Sequence, residues 1–188
     1  MILDGQQVIP AANNMKSFER LLSEPCHNLI LLDSRLSLIT TMVRMGKQNH
    51  KHVFVHADLI QGLKNDLAGA EFVCQSIRPY GIISTRGNML EIGKKRGLVT
   101  VQRMFLLDSR SMETGYRLFD QVQPDMVEVL PGIIPELIQE IRGKVHVPVI
   151  AGGLIRTTRD MKRAIHAGAA AISTSRAELW DRSLFGRV

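Results

Sequence analysis

Short apolar runs alternate with segments of helical periodicity along the whole chain. The runs are Val8 to Ala12, Leu29 to Leu32, Val53 to Val55, Gly81 to Ser84, Leu98 to Val101, Met126 to Leu130, Val147 to Ala151 and Ala170 to Thr174, eight in all. Their starts are spaced by roughly 23 residues on average, about one βα unit. They are apolar on both faces rather than alternating, as strands of a parallel sheet covered by helices should be. Between the runs, Ile134, Leu137, Ile138 and Ile141 recur at i, i+3, i+4 and i+7, with Glu136, Gln139, Glu140 and Arg142 on the other face. Met161, Ala164, Ile165 and Gly168 repeat the pattern, with Arg159, Lys162, Arg163 and His166 outside. Leu67, Ala70, Cys74 and Ile77 repeat it again.

Eight such units without a linker or a low-complexity tract predict an α/β fold, a single (β/α)8 TIM-type barrel of minimal length over residues 1–188. An open doubly wound sheet is the alternative. Eight parallel strands joined by right-handed crossovers close more naturally than they stay open.

Composition narrows the class. Hydrophobic residues make up 45% of the chain and charged residues 22%, ordinary values for a globular protein in water. No stretch reaches the roughly 18 uninterrupted apolar residues of a membrane span. The segment Met1-Ile2-Leu3-Asp4-Gly5 lacks the basic-then-apolar layout of a signal peptide, so the expected compartment is the cytoplasm. Cys26 and Cys74 are isolated and read as reduced, buried thiols. The net charge of +6 arises entirely in residues 142–188, which hold nine basic and three acidic side chains. That excess suits an anionic ligand, an anionic polymer or a merely solvated basic face.

In a barrel of this kind the strand C-termini face the ligand. They carry Asp33, His56 and Asp58, Thr85 and Arg86, Gln102 and Arg103, then Glu128, Pro131 and Gly132. Gly152, Gly153 and Arg156 follow, and last Ser173, Thr174 and Ser175. His56-x-Asp58 reads as a self-satisfied pair, a pair of ligand contacts or half of a metal site, since i and i+2 of a strand point the same way. Glu128 lies within an apolar run and needs a partner; Arg103 on the neighbouring strand or the hydroxyls of a polyol would each serve. The glycine pair lets backbone N–H groups approach a ligand closely, and Thr157 or Thr158 can cap a helix whose N-terminus favours an anion. Together with Ser173 to Ser175 these features point to a phosphate ester. Lysine is absent from the strand ends, and there is no Walker loop, GxGxxG or clustered metal-ligand spacing. Much of what an enzyme would need is therefore absent or ambiguous in the sequence, and no metal or cofactor is expected. A phosphate-binding barrel enzyme (a small synthase, isomerase or lyase) is the rival reading.

Five ordered segments carry a family resemblance. They are His56-Ala57-Asp58-Leu59-Ile60-Gln61-Gly62-Leu63, Gly81 to Arg86, Gln102 to Ser109, Glu128-Val129-Leu130-Pro131-Gly132 and Ala151 to Thr157. Over residues 8 to 180 the chain resembles the glycerol-3-phosphate-responsive transcription antiterminators, regulators of bacterial glycerol uptake operons. The resemblance implies a TIM-barrel sensor of glycerol 3-phosphate that acts on the leader mRNA of glycerol genes and has no enzymatic activity. It places the phosphate at Gly152, Gly153, Ser173, Thr174 and Ser175. The glycerol hydroxyls are assigned by fold position to His56, Asp58, Arg103 and Glu128. The RNA surface is assigned to the outer face holding Arg159, Lys162, Arg163 and His166. Arg176 departs from the family, where an Asn commonly follows the Ser-Thr-Ser run. Met42, Met45, Met112 and Met161 on helix faces would suit either core packing or an adaptable interface, and a homodimer is the expectation.

Overall fold

The protein, described here over residues 2–185 in a computed structural model, is a closed parallel barrel of eight strands. Met1 and residues 186–188 of the predicted span lie outside the described residues. The strands are β1 (Val8–Ala12), β2 (Asn28–Leu31), β3 (His52–His56), β4 (Gly81–Ser84), β5 (Val99–Phe105), β6 (Met126–Leu130), β7 (Val149–Gly152) and β8 (Ala171–Thr174). They neighbour one another in chain order, and β8 returns to β1 with Ile172 opposite Val8 and Thr174 opposite Pro10. Every predicted run became a strand. β5 extends four residues beyond the expected Val101, to Phe105.

Seven helices cover the barrel: α1 (Met15–Leu22), α2 (Leu36–Gln48), α3 (Leu67–Phe72), α4 (Gly87–Lys95), α5 (Ser109–Val122), α6 (Pro135–Lys144) and α7 (Thr158–His166). After β8 the chain makes two 3-10 turns, Ala177–Leu179 and Arg182–Leu184, so among the described residues the eighth unit lacks its α-helix. Their starts are chemically marked. Asn14, Asp108 and Thr157 are N-caps in capping boxes with Ser17, Ser111 and Asp160, and Pro135 opens α6. Leu67, expected on the buried face, is exposed at the first position of α3, and a π turn over Val73–Ile77 follows that helix. The sequence pattern also missed a two-stranded parallel pair, Ser34–Arg35 with Ile60–Gln61, which stands outside the barrel.

Two apolar layers result. One fills the barrel: Ile9, Ala11, Ile30, Phe54, Ile83, Val101, Met126, Ile150 and Ala171. The other lies between strands and helices, where Val53, Val55, Ile82, Val127, Val129 and Ile172 meet Phe18, Ile39, Met89, Phe119, Ile138 and Met161. Met42 and Met161 are buried in this second layer, and Met45 and Met112 pack against it. Core packing thus accounts for Met42 and Met161. Cys26 and Cys74 are free and buried, and burial pushes the Cys26 thiol up to about 11. No helix among the described residues is long and apolar enough to cross a membrane.

Candidate functional site: a polar cavity at the C-terminal mouth

Side chains two residues apart on a strand share a face. The inward residues Phe54, Val101, Met126, Ile150 and Ala171 are therefore followed, one layer closer to the mouth, by His56, Arg103, Glu128, Gly152 and Ser173. Above the apolar plug the barrel interior thus becomes polar. A cavity of about 270 Å³ opens there, with Ala11, Ile30 and Ile83 among its apolar lining residues and His56, Arg103, Glu128, Gly153 to Arg156 and Ser173 to Arg176 contributing the rest. Its size suits a ligand smaller than the drug-sized molecules held by pockets of roughly 300–1,000 Å³.

The polar layer is wired in order. The Ser173 hydroxyl donates to Glu128 Oε1 at 2.5 Å. Glu128 Oε2 lies 3.4 Å from Arg103 Nε. That approach is an ion pair without hydrogen-bond alignment, because among the described residues both atoms are buried and lack a hydrogen-bond partner. A terminal nitrogen of Arg103 donates to His56 Nε2. Burial, and then the Arg103 charge, lower the His56 pKa to about 4, so the ring is neutral at neutral pH and can accept that bond. With Nε2 accepting, the ring proton sits on Nδ1, which is also buried without a partner. Buried polar atoms are normally satisfied. Three unmatched ones around a single cavity describe a site shaped for a polar ligand.

The sequence-assigned residues do not all meet. His56, Arg103 and Glu128 line the cavity and Asp58 does not. β3 ends at His56 and the chain enters a 3-10 turn over Ala57–Leu59, so the i, i+2 rule stops applying. Asp58 instead accepts from Ser84 Oγ at 2.5 Å, Thr85 N at 2.8 Å and Thr85 Oγ1 at 2.9 Å, which ties the end of β3 to that of β4. Among the described residues no three His, Cys, Asp or Glu converge.

At the phosphate side, Gly153, Ser173, Thr174 and Ser175 line the cavity, whereas Gly152 stands behind it. A Cβ on Gly152 would lie 2.5 Å from Ser173 Oγ and 2.9 Å from Glu128 Oε1, so this glycine makes room for the pair. Gly153 and Leu154 both take positive φ, +74° and +59°, an expensive conformation for a leucine. Among the described residues no acceptor meets the N–H groups of Leu154 and Ser175, while Gly153 follows the last rung that pairs Gly152 with Ser173. The start of α7 is not equally open. Asp160 Oδ2 already accepts from Arg156 N at 3.1 Å and Thr157 N at 2.9 Å, and these bonds with the Thr157 hydroxyl hold its pKa below the usual carboxylate range. The Arg156 and Thr157 N–H groups expected to face an anion at that helix end are therefore already taken. Ser173 also differs from expectation, since its hydroxyl donates to Glu128. Arg156 and Arg176, both exposed, complete the rim, and Arg176 makes a 3.2 Å contact with exposed Glu178. Three arginines face one carboxylate in the lining, an excess of two positive charges that matches a phosphate monoester dianion.

Arg159, Lys162, Arg163 and His166 lie together on the exposed face of α7, outside the cavity. The loop that lines the cavity runs directly into the Thr157 cap of that helix.

Known proteins resemble this chain over nearly its whole length. The family described as glycerol-3-phosphate responsive antiterminator matches residues 8–180. The crystal structure of the glycerol uptake operon antiterminator regulatory protein from Listeria monocytogenes str. 4b F2365 is similar over 96% of this chain and 97% of its own, with 41% identity and a TM-score of 0.92. That of a glycerol uptake operon antiterminator-related protein from Thermotoga maritima MSB8 covers 96% and 98%, with 29% identity and a TM-score of 0.78. The uncharacterized protein YgcP of Escherichia coli (strain K12) is 31% identical over 179 residues, 95% of this chain and 94% of that one. The family match starts with β1 and ends just past the first 3-10 turn, so it takes in every barrel strand and the whole mouth: the chain belongs to the glycerol-3-phosphate responsive antiterminator family.

Proposed function

We propose that the protein is a cytoplasmic sensor of glycerol 3-phosphate that regulates by antitermination, binding the leader mRNA of glycerol utilisation genes without transforming its ligand. The observation that carries the reading is the polarity of the mouth. An N–H-rich, arginine-rimmed side at the ends of β7 and β8 suits the phosphate, and the Arg103–Glu128–His56 array suits the hydroxyls. The phosphate contacts are the N–H groups of Leu154 and Ser175, helped by Arg156 and Arg176, with Gly153 keeping the wall open to the ligand. Gly152, Ser173 and Thr174 shape the seat.

RNA recognition rests on the basic face of α7. Aromatic residues are 5% of the chain and its one Trp, Trp180, is buried, so stacking platforms are scarce and phosphate contacts carry the interaction. Ligand held by the Gly153–Arg156 loop orders the segment that begins α7, and this coupling requires different RNA affinities in the free and bound states. Gel-shift titration of leader RNA with and without glycerol 3-phosphate tests it. Tighter retention with ligand is expected, and equal affinities overturn the coupling. Phosphorus NMR of the same ester incubated with the protein should show one unchanged resonance; turnover would favour the barrel-enzyme reading. Sedimentation would show whether the regulator works as a homodimer.

A further inference from the structure

The unmatched atoms at the floor of the mouth form one donor and one acceptor side by side. Arg103 Nε–H needs an acceptor, Glu128 Oε2 needs a donor, and the two atoms are 3.4 Å apart. Glu128 cannot turn away to satisfy itself, because its Oε1 is held by Ser173 and the backbone of Gly152 closes in beside it. Arg103 is held at its other end by His56. A single oxygen that both accepts and donates completes this pair. An alcohol oxygen does so; a carbonyl oxygen accepts from Arg103 but turns a lone pair toward the carboxylate.

We infer that the Arg103–Glu128 pair makes the cavity a reader of oxidation state, admitting a phosphate ester whose central carbon bears a hydroxyl and rejecting the same ester with a ketone there. The inference rests on the ligand reading above and deepens it. The order of groups assigns the carbon. The phosphate seat adjoins Ser173 and Glu128, with Arg103 next and His56 beyond, so the hydroxyl nearest the phosphate meets the pair and the terminal hydroxyl is left for His56 Nδ1. Sites built to hydrogen-bond a hydroxyl discriminate strongly against analogues that lack it, since the buried groups then stay unpaired.

Calorimetric titration of the full chain with glycerol 3-phosphate, dihydroxyacetone phosphate, 1,3-propanediol monophosphate and inorganic phosphate tests this. The alcohol should bind at least about tenfold tighter than the ketone or the deoxy ester. In Glu128→Gln the amide presents both an N–H and a carbonyl, so the alcohol-to-ketone ratio should shrink to within about threefold while the deoxy ester stays weak. Equal binding of alcohol and ketone by the unaltered protein overturns the inference and leaves the phosphate site standing. Failure of every ester and of inorganic phosphate to bind overturns the ligand reading and this inference with it. The unaltered protein's ratio decides the matter even if the variant does not fold.

Discussion

The Ser173 hydroxyl donates a hydrogen bond to Glu128 Oε1 across 2.5 Å, joining β8 to β6 on the inner wall of the barrel. Both residues are buried, at 8% and 4% exposure. Ser173→Ala leaves a buried carboxylate oxygen without a donor. It should lower unfolding free energy by about 1–3 kcal/mol in denaturant titration, and it should weaken glycerol 3-phosphate binding because Oε2 is no longer held toward the cavity. A variant with native ligand affinity would show that Glu128 is oriented by something else.

Gly152→Ala attacks the same pair sterically. The new methyl meets Ser173 Oγ at 2.5 Å and Glu128 Oε1 at 2.9 Å, closer than Cβ atoms come to neighbours. Loss of ligand binding by calorimetry is expected, together with a lower melting temperature. Gly143→Ala is the matched control, since a Cβ there meets nothing within 4 Å and the residue lies in α6. It should stabilise by about 0.5–1 kcal/mol through helix propensity and leave binding alone.

How much of this site the sequence discloses follows from the strand parity. Once β5 and β6 are recognised, Val101 and Arg103, and Met126 and Glu128, fall on one face, and the polar layer over the apolar plug can be read directly. His56 follows from Phe54 in the same way. Parity gives out where a strand ends. Asp58 has the right spacing, yet the 3-10 turn at Ala57–Leu59 carries it to Ser84 and Thr85, and no local pattern announces that turn. The capping box of α7 is legible as Thr157-x-x-Asp160, and its consequence, that Asp160 takes up the first N–H groups of the helix, follows from giving the carboxylate its usual role. The fold is legible because each strand contains a short run that is mostly apolar on both faces. The lack of an α-helix after β8 among the described residues is not, since Ala177 to Leu184 contains enough apolar residues to suggest one.

Asp58 lies outside the cavity lining and ties β3 to β4. Asp58→Ala removes the partner of three hydrogen bonds, one of them to the fully buried Ser84. Stability should fall by about 1–3 kcal/mol, whereas affinity for glycerol 3-phosphate in the folded protein should stay within about threefold. Comparing chemical melts with calorimetry separates the two effects, and a large loss of affinity at unchanged stability would put Asp58 back in the site.

His56 sets a pH dependence. Burial, and then the nearby Arg103, lower its pKa in the folded protein to about 4, below the ordinary histidine value of about 6.5. In the unfolded chain the ring takes up a proton first as pH falls. The stabilisation is therefore complete above about pH 6.5, declines as pH drops, and is lost once pH passes about 4. His52, lowered mainly by its own burial, contributes in the same direction. Thermal melts between pH 7 and 4 of the unaltered protein and of His56→Gln isolate the His56 share: the variant should show the shallower fall. Parallel curves would mean that the ring is not held neutral beside Arg103.

The basic face of α7 is testable through salt. Lys162 and Arg163 are exposed and lie outside the cavity, so reversing them to Glu should leave glycerol 3-phosphate binding unchanged. If each neutralises one RNA phosphate, its loss removes one released counterion. The slope of log affinity against log salt should flatten by roughly 0.7–0.9 per residue, and retention of leader RNA should fall at every salt concentration. A double variant with weaker binding but an unchanged slope would mean that these side chains act on the fold of α7 rather than on the polymer. An unchanged affinity and slope would move the RNA surface elsewhere, with the arginines at the mouth, Arg156 and Arg176, as the next cations to reverse.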